Sequence, residues 1–494
     1  MKKIIISLVF IFTMSAFFTS CKKDYLETVP TDAVSASAAT LTTDNAWAAL
    51  NGIHRALYVR YGSQGRGGLG AYYYHHDEVA DDMVFTYATW TTWVRWLMVD
   101  ETSSYNEADY LMFYQWIANA NVLINNVTEA TSGDPADRDA IVGEALLYRA
   151  FCHFQLVQNY AKRYVAGGGN SQLGVIYMLD NTTEGQPRNT VEEVYTMINA
   201  DIDRAIPLLT GYTMKNKSHL NIDVANGLKA RVALTMGNWS TAVTYADKVI
   251  PNHELMSFDA YAQGFRMNSE AESEFIWASQ IQSDQTDQWA NYGAYVSRNF
   301  SSSSIRANPR AINSLLYDKI SDTDVRKTLW DPTGLHLDLQ ASGVEIVDAA
   351  KRYPYTNQKF IAESTGDSRV DVPHMRVSEM HLIKAEALAR QGQDAAAAQA
   401  LYNMAVVRDP SYTLSTKTGA ALLEEILVQR RVELWGEGFR FADLKRMNLP
   451  LDRNGANHKG SIINDLWEVP AGDPRWQLAI PQAEMDANPA MVQN

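Results

Sequence analysis

Cysteine is nearly missing from this chain: 494 residues hold two, Cys21 and Cys152. Cys21 stands where a processing site belongs, so no internal disulfide is expected and the fold must rest on its core. Cys152 is expected to pack as a small hydrophobe. Basic charge is also in deficit, with 43 Lys and Arg against 57 Asp and Glu and a formal net charge of −14. Phosphate recognition needs a cationic face, so the balance argues against a nucleic-acid partner and disfavours direct electrostatic attraction to anionic lipid. No GxSxG, HExxH or phosphate-loop pattern occurs, which removes the commonest signatures of hydrolases, zinc proteases and nucleotide enzymes. Long apolar runs are lacking too. The uncharged stretch from Ile4 to Phe18 falls short of the roughly 20 residues that span a bilayer.

What that stretch does suit is the apolar region of a secretory signal, with Lys2 and Lys3 before it and Thr19 and Ser20 after it. Residues 1–20 are therefore set apart from the fold. Phe18-Thr19-Ser20-Cys21 resembles a lipoprotein box, in which the Cys21 sulfur takes a diacylglycerol and the new amine is acylated. Each buried CH₂ of such chains contributes about 0.8 kcal/mol, enough in sum to hold a protein on a membrane without a spanning helix. Residues 21–43, rich in Ser, Thr and Ala, read as a lipidated tether. Residues 44–494 then form a single domain whose 46% hydrophobic and 20% charged content is that of a globular protein.

Most long segments show a helical period. Ile141, Ala145, Leu146, Ala150, Phe154 and Val157 make one stripe, and Val194, Ile198, Ile202, Ala205 and Ile206 another, opened by a cap at Asn189 or Thr190. Two stretches look alike: Ala230, Gly237 and Ala242 repeat as Ala385, Gly392 and Ala397 at the same spacing. Small residues there let antiparallel helices approach while Gly takes the turn, as in a tetratricopeptide hairpin. From about 268 to 372 the period fails, and Ser, Asp, Asn, Gly and aromatics accumulate. Such irregular insertions commonly carry binding surfaces.

The C-terminal "ILVQRRVELWGEGFRFADLKR" and "WQLAIPQAEMDANPAMVQN" resemble the SusD/RagB family of nutrient-binding outer-membrane lipoproteins. "DEVADDMVF", "GEALLYRAFCHFQLVQNY" and "MRVSEMHLIKAEALARQG" fall in the family's order, so the likeness covers nearly the whole mature chain. The resemblance implies a mostly α fold, with four tetratricopeptide-like helix pairs packed against an irregular, loop-rich half with little strand. It also implies a cell-surface lipoprotein that captures a glycan or related nutrient. The partner implied is a SusC-type TonB-dependent outer-membrane transporter. The CKKD order after the anchor resembles the surface-export signal of such lipoproteins.

Within the hallmark, Arg430, Arg431, Glu433, Glu437, Arg440 and Asp443 could be drawn as acid and base groups if the helix continued. Gly436 and Gly438 argue that it breaks, so these residues read as ion pairs of structural purpose, and no catalytic residue is assigned. Asp81-Asp82 and His75 to Glu78 read the same way. No metal set and no cofactor is expected. Aromatic side chains are the stronger lead, because sugar C–H faces stack on Trp and Tyr while hydroxyls need polar neighbours. Trp289, Tyr292 and Tyr295 form the first candidate platform for an oligosaccharide, and Trp90 and Trp93, in a series with Trp96, the second. The competing class is a lipid-anchored glycoside hydrolase with unrecognised paired carboxylates. A tetratricopeptide scaffold for protein partners is disfavoured by the long irregular insertion.

Overall fold

A computed structural model describes residues 36–494 apart from 60, 62–64, 285–286 and 349–351. Cys21, the signal segment and most of the tether lie outside the described residues. Numbering only helices of eight residues or more, α1 (Thr43–Ala56), α2 (Gly68–Glu78), α3 (Ser104–Asn126), α4 (Pro135–Tyr160) and α5 (Val191–Leu208) form the first layer. Their starts follow from their caps. Thr42 accepts from Asn45 N at α1, and Asp134 accepts from Ala136 N ahead of Pro135 at α4. At α5, Thr190 and Glu193 complete a reciprocal capping box. Thr190, not Asn189, is therefore the cap.

The similar stretches are helix pairs: α6 (Ile222–Met236) with α7 (Trp239–Val249), and α8 (Val377–Arg390) with α9 (Asp394–Arg408). Gly237 and Gly392 sit at the two turns with φ of 72° and 73°, the left-handed conformation that glycine tolerates. α10 (Gly419–Glu433) packs on α8, and α11 (Arg440–Met447) on α2. The break between α10 and α11 falls at Gly436 and Gly438, with φ of 83° and 81°. A Cβ on Gly438 would stand 2.6 Å from the Tyr73 Cα, so only glycine lets the hallmark lie against α2.

Between α7 and α8 the described residues hold only short helices and strands. β1 (Met83–Phe85), β3 (Arg310–Ile312), β5 (Thr356–Asn357) and β4 (Trp330–Asp331) join in that order as an antiparallel sheet, with Val84 opposite Ala311 and Ala311 opposite Thr356. A second pair, β2 (Phe275–Ser279) with β6 (Val372–Arg376), brings the two ends of this region together and leads straight into α8. One apolar core runs through both halves, and Cys152 lies in it.

The halves are joined by a buried ion cluster. Glu433 meets Arg376 at 2.9 Å, Arg408 at 3.1 Å and Arg326 at 3.3 Å. Glu437 meets Arg376 at 2.6 Å and Lys359 at 2.7 Å. Glu274 pairs with Arg376 and Arg408, and Asp324 with Arg326. Four cations thus face four carboxylates, all buried. Such a cluster contributes little against an apolar substitute but costs much when one partner is removed.

Candidate functional site

The two aromatic stretches are brought toward one cavity but do not act as units. Trp289 is 50% exposed and Trp90 is 47% exposed. Tyr292, Tyr295 and Trp93, expected as surface platforms, are instead buried in the core. The short helix Gly293–Val296 turns the face that carries Tyr292 and Tyr295 inward. There the Tyr292 hydroxyl donates to the Gly436 carbonyl, and Tyr295 stacks on Tyr74 with centroids 5.5 Å apart. Trp93 lies parallel to His75 at 4.5 Å. Trp96 is also internal, its indole N–H donating to the Val79 carbonyl at 2.8 Å. No helix underlies the Trp90, Trp93, Trp96 spacing: Trp90 and Trp96 both adopt a φ of 58°.

Trp289 precedes the short helix and rests edge-on against Phe300, with ring centroids 5.9 Å apart, leaving the rest of its surface to solvent. Trp90 ends a loop that Asn308 fixes from below. The Asn308 side-chain oxygen accepts from Thr86 N at 2.9 Å and Tyr87 N at 3.0 Å, and its amide donates to the Thr89 carbonyl at 2.8 Å. Tyr87 and Trp90 are thereby held outward on a loop with little freedom left to lose, which favours binding by a flat aromatic face. Tyr87, 56% exposed, was not singled out from the sequence, although it lies three residues before Trp90. Asn308 could not have been found there, since its contacts cross more than two hundred residues.

Between these segments lies a cavity lined by Gly65, Glu78, Trp90, Trp93, Tyr295 and Arg310. Its volume of about 30 Å³ suits a water and not a sugar ring. Arg310 forks onto Glu78 at 2.7 and 2.9 Å; burial pushes the Glu78 carboxyl up to about 7 against the pull of that guanidinium. A larger cavity of about 480 Å³ lies elsewhere, lined by Lys162, Arg163, Lys445 and Trp476.

The hallmark residues form a clasp. Asp77 accepts from Gly438 N at 3.0 Å, Arg440 meets Asp81 at 2.7 Å, Arg431 meets Asp82 at 2.5 Å, and Arg430 meets Asp443 at 2.7 Å. His75 and His76 face different partners, the latter bonding the Asn159 side chain and the Tyr72 carbonyl. Glu433 and Glu437 are sealed among cations, which leaves neither free to approach a glycosidic bond.

Both sides of this clasp fall in stretches that family models recognise. Residues 340–494 match the model described as SusD family, and residues 55–234 match "Starch-binding associating with outer membrane". The chain belongs to the SusD/RagB family. The family is non-catalytic. Solved SusD-like structures share the fold. A SusD-like carbohydrate binding protein from Bacteroides vulgatus is 24% identical with a TM-score of 0.79, covering 91% of this chain and 97% of that one. A SusD superfamily protein from Bacteroides thetaiotaomicron is 24% identical with a TM-score of 0.77, covering 92% and 99%. A laminarin binding SusD-like protein is 21% identical with a TM-score of 0.68, covering 92% and 99%. No curated protein sequence matches the chain. In this SusD-like chain, Trp90 lies inside a matched stretch, whereas Trp289 lies between the two.

Proposed function

We propose that this SusD-like protein captures a glycan on the rim formed by Trp289, Trp90 and Tyr87, and passes it to a SusC-type TonB-dependent transporter. The observation that carries the reading is the pair of half-exposed tryptophans, in a family of glycan-capturing proteins, on segments that the fold places around one cavity. Stacking on a sugar face requires such rigid, solvent-facing rings. The lipid anchor at Cys21 holds the protein on the outer membrane, facing the exterior, and four tetratricopeptide-like pairs, α6–α7 and α8–α9 among them, form the scaffold. A tether that confines both partners to one surface raises their effective concentration, so a modest contact with the transporter suffices.

Calorimetry against a panel of soluble glycans tests the capture step. At least one glycan should saturate the protein, and Trp289→Ala and Trp90→Ala should each weaken it by about 1 to 3 kcal/mol. Binding that ignores both substitutions would move the site elsewhere, the 480 Å³ cavity being the next place to probe. Extraction in mild detergent should recover a β-barrel partner with the protein. Cys21→Ser should release the protein from the membrane fraction, and retention there would rule out the acyl anchor.

A further inference from the structure

His54, Glu144 and His219 are far apart in sequence and converge where α1, α4 and the residues leading into α6 meet. Their ligand-type atoms all lie within 4.8 Å of one another, the one such group among the described residues. His54 Nε2 stands 3.3 Å from Glu144 Oε2, and His219 Nδ1 stands 3.0 Å from Glu144 Oε1. We propose that these three side chains form a buried site for a divalent d-block cation, of the zinc class, that ties α1 and α4 to the segment leading into α6.

Three observations support the site. The first is geometric: bonds of about 2.0 to 2.1 Å to a tetrahedral zinc set neighbouring donor atoms roughly 3.3 Å apart, close to both separations seen here. The second is an unused donor. His54 is 7% exposed, and its Nε2 has no hydrogen-bond partner of good geometry although it points at Glu144. Its other ring nitrogen lies 2.5 Å from the Tyr148 hydroxyl, the kind of outer contact that fixes the ring of a metal-bound histidine.

The third is charge. Glu144 is fully buried and takes the Leu220 N–H at 3.1 Å, but its only ion-pair partners are the two imidazoles. The other buried glutamates of this interior behave differently: Glu379 has Arg231, Glu386 has Arg446, and Glu433 has three arginines. Where those glutamates each face a guanidinium, Glu144 faces only imidazoles, which are themselves metal ligands, and a bound cation would give it a comparable fixed partner. The half-buried Tyr212, whose hydroxyl is 3.4 Å from His219 Nδ1, covers the site on the outer side. A tetrahedral cation held by three side chains takes a fourth ligand, for which the Tyr212 oxygen is at hand. Lys215 lies over the Trp47 ring, which abuts His219.

The test uses the full chain, stripped with a chelator and dialysed against zinc. One zinc per chain should be retained, the melting temperature should rise with zinc and fall with chelator, and cobalt should give the visible bands of a tetrahedral site. His219→Asn should abolish retention. Tyr148→Phe, which keeps the ring and removes only the outer contact, should weaken zinc by ~10- to 100-fold with the fold intact. Folded wild-type protein that retains no zinc and melts identically with zinc or chelator would overturn the proposal. Equal retention by wild type and Tyr148→Phe would overturn it as well, because the metal would then sit elsewhere.

Discussion

In α4, Ile141, Ala145, Leu146, Ala150, Phe154 and Val157 are all buried, and a 3.6-residue period in the sequence says so. In the stretch from 289 to 295, Trp289 is half exposed while Tyr292 and Tyr295 are core residues, and no period separates them. The two regions use the same apolar and aromatic residue types. They differ in what fixes the backbone: α4 runs for 26 residues, so its own hydrogen-bond ladder sets which side faces in. The second region has a helix of four residues, and its orientation is set by distant partners such as the Gly436 carbonyl and the Tyr74 ring. Long elements encode burial locally, whereas short ones inherit it from whatever they touch.

The largest expected effect attacks the joint between the helical half and the irregular half. Glu433→Gln leaves Arg326, Arg376 and Arg408 short of a carboxylate and should cost about 3 to 5 kcal/mol in a urea titration. A loss under about 1 kcal/mol would mean that the irregular region stands without the cluster. Next comes Tyr292→Ala, which opens a hole beside Phe360 and should cost about 3 kcal/mol while leaving glycan affinity alone. Lost affinity without lost stability would return Tyr292 to the binding face and undo the contrast with Trp289.

A third effect depends on pH. Burial pushes the Asp443 carboxyl up, but Arg430 and Arg446, each at 2.7 Å, outweigh it and hold it down at about 2. An acid whose folded value lies below its unfolded value of about 3.9 stabilises the fold above that value and loses this contribution as pH falls through about 2. Wild type should therefore exceed Asp443→Asn by about 2 kcal/mol near neutrality, and the two should converge on acidification. A constant gap down to pH 2 would show that the clasp acts through shape rather than charge. The smallest stability effect belongs to Trp289→Ala. Its melting curve should shift by no more than about 0.5 kcal/mol, because half of the ring is already in water. A larger drop would make it another core aromatic.

The helical character, the cap region of α5, the Gly237 and Gly392 turns and the break at Gly436 and Gly438 were all legible along the chain. Each depends on residues within one or two turns of one another. The hallmark's structural purpose was legible in kind, since Arg and carboxylates in equal supply beside a helix break have few other uses. Its partners were not. Asp77, Asp81 and Asp82 meet the hallmark across roughly 350 residues of sequence. Of the aromatics singled out, Trp289 and Trp90 reach solvent while Tyr292, Tyr295 and Trp93 beside them are buried, because segments without a regular period take their orientation from distant contacts.

By itself the sequence determined the helical segments, the turns between paired helices and the family hallmark, because each is a local pattern of residue types. Only the tertiary structure decided which aromatics reach solvent, which carboxylate pairs with which guanidinium, and that His54, Glu144 and His219 meet. Those outcomes rest on contacts between segments separated by many tens to hundreds of residues, and burial and charge compensation are properties of that assembled environment rather than of any stretch of chain.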